Sequence, residues 1–211
     1  MHITVFGATS TTGRPLLARA LAAGHHVTAL TRDPAGLGDV PGVTDHPDLV
    51  VLTGDVTDPT QAATALDGAD AVVVTLGAGR AGAVREAGTR AVVAAMKESG
   101  VRRLVVQTTL GTGSSRANLD LVWKHLMFGL LLRAAYRDHV RQEEVTTSSG
   151  LDWTLVRPSA FTDVEQPDVR RGFGPDERGL RLKVGRTQVA DLLLEAATSD
   201  AHLRRAVSLS A

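Results

Sequence analysis

The first 24 residues read as a strand, a glycine-containing turn and a helix, and they constrain the fold more than any other stretch. The apolar run HITVF leads into GATSTTG, and the apolar-periodic stretch TGRPLLARALAAG follows. Gly7 permits a tight turn, Gly13 lets the helix pack close to the strand, and Pro15 fits the first helical turn. Free N–H groups at the helix start would face phosphates, with the positive end of the helix dipole behind them. This order predicts a dinucleotide-binding βαβ unit.

Ser10 stands where such a loop usually has a middle glycine, which lets the backbone approach the pyrophosphate. A Cβ at this position holds the backbone somewhat farther from the pyrophosphate. Serine is small, however, and its hydroxyl can cap the helix or donate to a phosphate oxygen. We therefore expect the loop to retain pyrophosphate binding. The alternative is an ordinary capped turn that binds nothing.

The remainder of the chain alternates between predicted strands and helices. Strands are predicted at 2–6, 25–31, 49–55, 70–76, 102–109, 152–158 and 206–210, and helices at 12–24, about 59–66, about 83–99, about 119–148 and 187–198. Near-continuous Val and Leu runs in the strands indicate burial on both faces, as in a parallel sheet with helices on each side. The sequence predicts an α/β, doubly wound parallel sheet (Rossmann fold) in one domain over 1–211, with a small C-terminal substrate-pocket portion at about 159–186.

Composition narrows the classes of partner. The formal net charge is zero, so no global field attracts nucleic acid or an anionic membrane. There is no cysteine, which excludes disulfides, thiolate metal sites and cysteine nucleophiles and suits an intracellular protein. The chain enters a strand without a basic and apolar leader, which argues against secretion. We expect a cytoplasmic protein with a small-molecule substrate and no metal, since His25 and His26 have no accompanying carboxylate cluster.

The most apolar stretch runs from Leu119 to Tyr136. Its uninterrupted part, 126–132, is far shorter than the roughly 20 residues that a transmembrane helix needs. A buried or pocket-lining helix is the favoured interpretation, ahead of a helix that lies on a membrane surface or against a partner.

The end of the second predicted strand bears on cofactor choice. NAD sites usually place a carboxylate about 20 residues beyond the glycine loop, whereas NADP sites place an arginine that receives the 2′-phosphate. The sequence there is Thr31, Arg32, Asp33. Arg32 can stack on adenine and pair with the phosphate, so NADP(H) is favoured over NAD(H). Two alternatives stay open: Arg32 pairs with Asp33 in solvent, or Asp33 serves an NAD site.

Several motifs together carry a family resemblance. In order, they are GATSTTGRPLLARALAAGHHVTALTRDP, GDVTD, DAVVVTLGA, AVVAAMKESGVRRLVV and SGLDWTLVRP. With them the chain resembles the atypical short-chain dehydrogenase/reductases of the NAD(P)H-binding, NmrA-like type, and most closely the branch that contains biliverdin and flavin reductases. The resemblance covers nearly the whole chain. Ser10 departs from the usual GATGxTG pattern.

The resemblance implies a set of site residues. Asp55 and Val56 would flank the adenine, and Leu76, Gly77 and Ala78 would line the ribose and pyrophosphate. Thr108, Thr109, Pro158, Ser159 and Ala160 would lie near the nicotinamide. The loop itself would contribute Gly7, Thr9, Ser10, Thr11, Thr12 and Gly13.

The usual catalytic pair of short-chain dehydrogenases is missing. That pair is Tyr-x-x-x-Lys, in which the lysine lowers the tyrosine pKa so that the phenol can protonate a carbonyl. Tyr136 is the chain's single tyrosine, and Val140 stands where the lysine would be. The reaction that remains is hydride transfer to an acceptor, such as a flavin or quinone, that needs little proton donation from the protein. In the reductase branch a serine often stands at Thr109 and a histidine at Ala160; Thr109 keeps the hydroxyl, and Ala160 lacks the imidazole.

His139 matches a histidine of the reductase branch, and it joins Thr109 as a candidate catalytic residue, although a surface helical histidine is an equal alternative. Arg157, in a buried strand, is expected to form a buried ion pair or to contact carbonyl groups.

The leading function is an NAD(P)H-dependent oxidoreductase for a flat electron acceptor such as a flavin, quinone or aromatic ketone. A non-catalytic NADP(H)-binding redox sensor and a polyketide-tailoring reductase or isomerase are the alternatives. A homodimer is left open.

Overall fold

The protein is built on a central sheet of eight strands. The computed structural model describes residues 1–77 and 84–211. Its strands lie in the order β3-β2-β1-β4-β5-β6-β10-β8. They are β1 (His2–Phe6), β2 (His26–Thr31), β3 (Leu49–Thr53), β4 (Ala71–Val74), β5 (Arg103–Gln107), β6 (Asp152–Pro158), β8 (Arg170–Arg171) and β10 (Arg205–Ser210). Strand order reverses between β1 and β4, and ligands bind at such a switch point, beyond the carboxyl ends of the strands.

The helices cover both faces of this sheet. They are α1 (Gly13–Ala22), α2 (Pro59–Thr64), α3 (Arg85–Ser99), α4 (Arg133–Thr147) and α5 (Arg186–Thr198). Helix α1 packs against α5 on one face, and α3 packs against both α2 and α4 on the other. Successive strand residues therefore enter different cores: Val5 of β1 is buried with α1 and α5, and Phe6 is buried with α2 and α3. The predicted doubly wound fold is confirmed.

The sheet departs from the prediction at its edges. Strand β3 is the outermost strand on one side, and its Val50 and Val51 are 53% and 37% exposed, so it is not buried on both faces. At the other edge, the two-residue β8 pairs antiparallel with β10. A separate two-stranded sheet joins β7 (Ala160–Thr162) to β9 (Lys183–Gly185). These short elements were not predicted, because two- and three-residue strands leave no periodicity to read.

The region predicted as one helix over about 119–148 is two elements. A π-helical segment spans Val122–Leu131, and α4 begins at Arg133. Phe128 is buried within the π-helical segment, whereas Leu121, Leu126, Leu130 and other apolar side chains of the region are exposed. The expectation of a buried or pocket-lining helix thus holds for only one of its faces. None of the described helices is long and apolar enough to cross a membrane.

Candidate functional site

The loop between β1 and α1 requires glycine at two positions. Gly7 has a positive φ of 93°, and a Cβ on it would lie 2.7 Å from the Thr75 carbonyl oxygen at the end of β4. A Cβ on Gly13 would lie 2.7 Å from the Ala8 carbonyl oxygen. Both distances are far below a normal van der Waals contact, so a larger residue at either position would displace backbone. Gly7 therefore shapes the turn and Gly13 seats the helix on the strand.

Ser10 caps helix α1. Its Oγ accepts a hydrogen bond from the Gly13 N–H at 2.9 Å, and its carbonyl oxygen accepts one from the Arg14 N–H at 3.1 Å. The hydroxyl donates to Thr75 Oγ1 at 3.2 Å, and the Thr75 hydroxyl donates to the Gly7 carbonyl oxygen at 3.0 Å. The serine thus replaces the conformational freedom of glycine with hydrogen bonds that tie the loop to the neighbouring strand.

We expect Ser10→Gly to destabilise the protein by a few tenths of a kcal/mol and to weaken dinucleotide binding, because glycine cannot accept the Gly13 N–H bond. Thermal unfolding and calorimetric titration with NADP⁺ measure the two effects. Tighter binding by the glycine variant at an unchanged Tm would show that Ser10 only crowds the pyrophosphate.

A first cleft of about 270 Å³ opens beside this loop at the carboxyl ends of β1, β2 and β3. It is lined by Gly7, Thr9, Ser10, Leu30, Thr31, Arg32, Asp33, Gly54, Asp55, Val56, Leu76, Gly77 and Val84. The Asp55 carboxylate accepts hydrogen bonds from the Thr57 N–H at 2.9 Å and the Thr57 hydroxyl at 2.8 Å. These bonds, with a smaller contribution from the positive charge of Arg32, lower the pKa of Asp55. The lining of the cleft thus brings together Arg32, Asp55 and Val56, which the sequence had suggested for the adenine and 2′-phosphate.

Arg32 lies exposed at the rim of this first cleft. The alternative in which Arg32 pairs with Asp33 does not occur: none of the ion pairs within residues 1–77 and 84–211 involves Arg32. Asp33 instead caps the short 3₁₀ turn Pro34–Leu37, where its Oδ1 accepts the Ala35 N–H at 3.1 Å. The guanidinium of Arg32 is therefore available to a ligand, while the carboxylate beside it is already hydrogen-bonded.

A second cavity of about 260 Å³ continues from the first and shares Ser10, Leu76 and Gly77 with it. One wall is apolar and largely aromatic, formed by Leu119, Trp123, Phe128, Leu132, Tyr136, Phe161 and Leu182. The rest of the lining is more polar and includes Thr11, Thr12, Thr75, Arg85, Gln107, Thr108, Thr109, His139, Pro158, Ser159 and Ala160. The two cavities together form one trough across the switch point, and the aromatic wall lines only the second of them.

Thr108 and Thr109 are neighbours with different environments. The Thr108 hydroxyl donates to Glu143 Oε1 at 2.7 Å and is committed to that carboxylate. Among the described residues, the Thr109 hydroxyl makes one hydrogen bond, of 3.3 Å, to the carbonyl oxygen of the next residue. Ser159 also lines the second cavity, and its buried Oγ has no hydrogen-bond partner among the described residues. Unlike Thr108, Thr109 and Ser159 therefore have hydroxyl groups that are not committed to a carboxylate.

Tyr136 lines the second cavity, in agreement with the pocket-lining interpretation of the stretch from Leu119 to Tyr136. Its ring stacks on Phe128 with centroids 4.9 Å apart. The phenol donates to the Gly111 carbonyl oxygen at 3.1 Å and accepts a hydrogen bond from Arg116 at 3.1 Å. The spacing of four between Phe128, Leu132 and Tyr136 is the signal that could have placed all three on one wall. Because the phenolic proton is bonded to a backbone carbonyl, Tyr136 is a poor proton donor for a substrate.

His139 also lines the second cavity, and it is neutral at ordinary pH. Burial and, second, the positive charge of Arg85 lower the pKa of His139 to about 3. The Gln142 side-chain amide donates to Thr89 Oγ1, which leaves its carbonyl oxygen to accept from His139 Nδ1 at 3.3 Å. This arrangement assigns the proton to Nδ1 and leaves Nε2 as an acceptor. His139 therefore suits ligand recognition or proton acceptance better than proton donation.

Sequence reasoning missed Arg85, Gln107 and Glu143. Arg85 and Gln107 line the second cavity, and Glu143 lies beneath it, paired with Arg157. The predicted buried pair of Arg157 is confirmed. Of the loop and cofactor residues proposed from sequence, Gly13 lines neither cavity, and Ala78 lies outside the described residues. Arg85 is paired with Asp138 of α4, and Glu143 with Arg157 of β6 and Thr108 after β5, so no local signal in the sequence identifies these contacts.

Comparison with known proteins agrees with this geometry. The family model described as NAD(P)H-binding matches residues 7–200. An anaerobilin reductase, ChuY from Escherichia coli O157:H7, is 24% identical with a TM-score of 0.80, covering 99% of this chain and 96% of its own. A short-chain dehydrogenase/reductase from Veillonella parvula, solved in complex with NADP, is 19% identical with a TM-score of 0.80. The match covers 100% of this chain and 94% of the Veillonella chain.

A Rossmann-fold NAD(P)-binding family protein from Shigella flexneri is 21% identical with a TM-score of 0.74, covering 99% of this chain and 92% of its own. At these identities the solved structures establish the fold. The family match spans nearly the whole chain, from the turn glycine through α5, and the fold and the glycine loop agree with it. This chain belongs to the NAD(P)H-binding family, as the resemblance to atypical short-chain dehydrogenase/reductases implies.

Proposed function

We propose that this protein is an NAD(P)H-dependent oxidoreductase that reduces a flat electron acceptor, such as a flavin, quinone or aromatic ketone, and that it favours NADP(H). The observation that carries the proposal is the continuity of the trough: a cleft fitted to an adenosine shares three residues with a cavity walled by aromatic side chains. A bound nicotinamide would supply the hydride. A planar acceptor stacked against Trp123, Phe128 and Tyr136 would face it.

The residues of the second cavity fit a dinucleotide. The buried Gln107 Oε1 and Ser159 Oγ have no hydrogen-bond partners among the described residues, and the nicotinamide carboxamide and ribose hydroxyls carry the complementary groups. Gly7 shapes the turn that leads into α1, and Thr11 and Thr12 line the cavity directly before the helix, where backbone N–H groups can face the pyrophosphate. Thr109 can donate a hydrogen bond to the oxygen or nitrogen that gains negative charge. The proton that completes the reduction comes from solvent.

A steady-state NADPH oxidation screen across FMN, quinones and aromatic ketones tests the proposal. Turnover at ordinary enzymatic rates with any of them supports an oxidoreductase and removes the sensor alternative. Tight NADPH binding without turnover on any acceptor class would favour the sensor instead.

We expect Thr109→Val to lower kcat/KM about tenfold or more, which is a loss of at least ~1.4 kcal/mol in transition-state stabilisation. Valine keeps the shape of threonine and removes the hydroxyl that the second cavity offers to a ligand. Tyr136→Phe is the matched comparison, and it should leave kcat/KM within roughly threefold of the parent, because its phenol is bonded to Gly111 and Arg116. If Tyr136→Phe is the inactive variant, the tyrosine is an acid and carbonyl reduction becomes the leading chemistry.

A further inference from the structure

Arg85 is a buried cation in the wall of the second cavity, and its guanidinium is poorly paired. It is the first residue of α3, its side chain is 9% exposed, and one of its nitrogens, Nη1, lies 3.4 Å from Asp138 Oδ2. Its Nε is buried and has no hydrogen-bond partner in the described part of the chain. Burial lowers the pKa of Arg85, but an arginine guanidinium stays protonated in proteins. Among the described residues, the guanidinium thus has one side-chain partner, Asp138, reached by a long 3.4 Å contact.

The carboxylate of Asp138 is shared between Arg85 and the start of helix α3. Asp138 Oδ2 accepts the backbone N–H of Arg85 at 3.2 Å, and Oδ1 accepts the N–H of Glu86 at 3.0 Å. Asp138 thus caps α3 from a neighbouring helix, and its negative charge also offsets the positive end of the α3 dipole. Because one carboxylate serves both the helix start and the guanidinium, the charge of Arg85 is incompletely balanced.

No other described anion pairs with Arg85. The neighbouring imidazole of His139 is neutral and offers Nε2 as an acceptor, and the unpartnered Gln107 Oε1 lies in the same wall. A buried, underpaired arginine is costly in the free protein, and a ligand oxygen with negative charge removes that cost. The guanidinium's flat set of donors matches a carboxylate or a phosphate.

We propose that Arg85 binds an anionic oxygen of a molecule held in the second cavity. This inference rests on the proposed function, in which the second cavity is the ligand site. The anion has two sources: a carboxylate carried by the aromatic acceptor, or a phosphate of the dinucleotide. Both present the same oxygen chemistry, and binding experiments separate them.

Equilibrium binding with Arg85→Met provides the test. The probes are NADP⁺ on the free protein, and 2-naphthoate and its neutral analogue 2-naphthamide on the NADP⁺-saturated protein. If the anion belongs to the acceptor, the parent binds the naphthoate about tenfold tighter than the amide, and Arg85→Met abolishes that preference with unchanged NADP⁺ affinity. If it is the cofactor phosphate, Arg85→Met weakens NADP⁺ about tenfold, and the parent does not prefer the naphthoate.

A third outcome overturns the proposal: Arg85→Met changes neither NADP⁺ affinity nor the naphthoate preference. The arginine is then only the partner of Asp138. Because Arg85→Met leaves Asp138 without its cation, the double variant Arg85→Met/Asp138→Asn repeats the measurement without a buried unpaired charge. Arg205→Met is the control for general charge, since Arg205 is exposed and lines neither cavity.

The single variant Asp138→Asn should change anion affinity in the opposite direction from Arg85→Met. The asparagine oxygen still accepts a backbone N–H at the start of α3, but the competing negative charge is gone. Affinity for the anion that Arg85 binds should then rise about threefold, and an unchanged or lower affinity contradicts the proposal. These measurements require no turnover. Failure of the oxidation screen would therefore leave this inference standing, and failure of the binding tests would leave the oxidoreductase proposal standing.

Discussion

Arg157→Met is expected to lower the free energy of unfolding by about 3–5 kcal/mol, the cost of leaving a buried charge without its partner. Arg157 and Glu143 are about nine-tenths buried, and they form a two-point pair: Nε donates to Oε1 at 2.9 Å and Nη2 to Oε2 at 2.7 Å. The change leaves the Glu143 carboxylate facing apolar sulfur and methylene groups. Chemical denaturation of parent and variant measures the difference.

The same carboxylate organises the loop beside the second cavity. Glu143 Oε1 also accepts the hydroxyls of Thr108 at 2.7 Å and Thr112 at 2.6 Å. Gly113 follows with a positive φ of 50°, and a Cβ there would lie 2.6 Å from Arg157 Nη2. Loss of Arg157 should therefore loosen the segment after β5 that carries Thr109, so ligand binding is expected to weaken together with stability.

Two comparisons isolate the buried pair. Arg171→Met removes a partner from the exposed pair with Glu195, whose side chains are 43% and 45% exposed, and should cost less than about 1 kcal/mol. The double variant Arg157→Met/Glu143→Gln removes both buried charges, and its amide oxygen can still accept from Thr108 and Thr112, so it should recover part of the lost stability. A cost for Arg157→Met as small as that of Arg171→Met would mean that water already reaches Glu143.

The fold could be predicted because its determinants are local. HITVF, the glycine loop and the periodic helix after it specify one βαβ unit, and the remaining Val- and Leu-rich segments repeat that alternation. The cap by Ser10 was also predictable, since a serine three residues before a helical N–H can accept from it. Each of these predictions needs only neighbours in sequence, so the physics of short segments suffices.

The walls of the second cavity could not be predicted in the same way. Arg85 meets Asp138 across 53 residues, and Thr108 meets Glu143 across 35, so their roles depend on how helices pack. Tyr136 was set aside as a catalytic acid because the lysine is missing, which is a statement about acid strength and not about location. His139 was a correct candidate for the cavity lining, but its neutral state follows from burial and from Arg85, which the sequence does not place.

Arg32→Glu is expected to weaken NADP(H) binding by about 1.5–3 kcal/mol, which is roughly 10- to 150-fold, and to abolish the preference for NADP(H) over NAD(H). A charge-assisted hydrogen bond to the 2′-phosphate would be lost, and a carboxylate would face that phosphate instead. Calorimetric titration of parent and variant with NADP⁺ and NAD⁺ measures both affinities.

The structure makes this a sharp test because Arg32 has no ion pair among the described residues that its removal would disturb. A change in NADP⁺ affinity thus reports on the ligand and not on stability. Arg205→Glu is the matched control: Arg205 is exposed, lines neither cavity, and undergoes the same change of charge. NAD⁺ affinity should be unchanged or higher in Arg32→Glu, since a glutamate can accept from the ribose 2′-hydroxyl that NAD carries. Equal NADP⁺ affinity in variant and parent would rule out Arg32 as the residue that binds the 2′-phosphate. NADP(H) would then no longer be favoured over NAD(H).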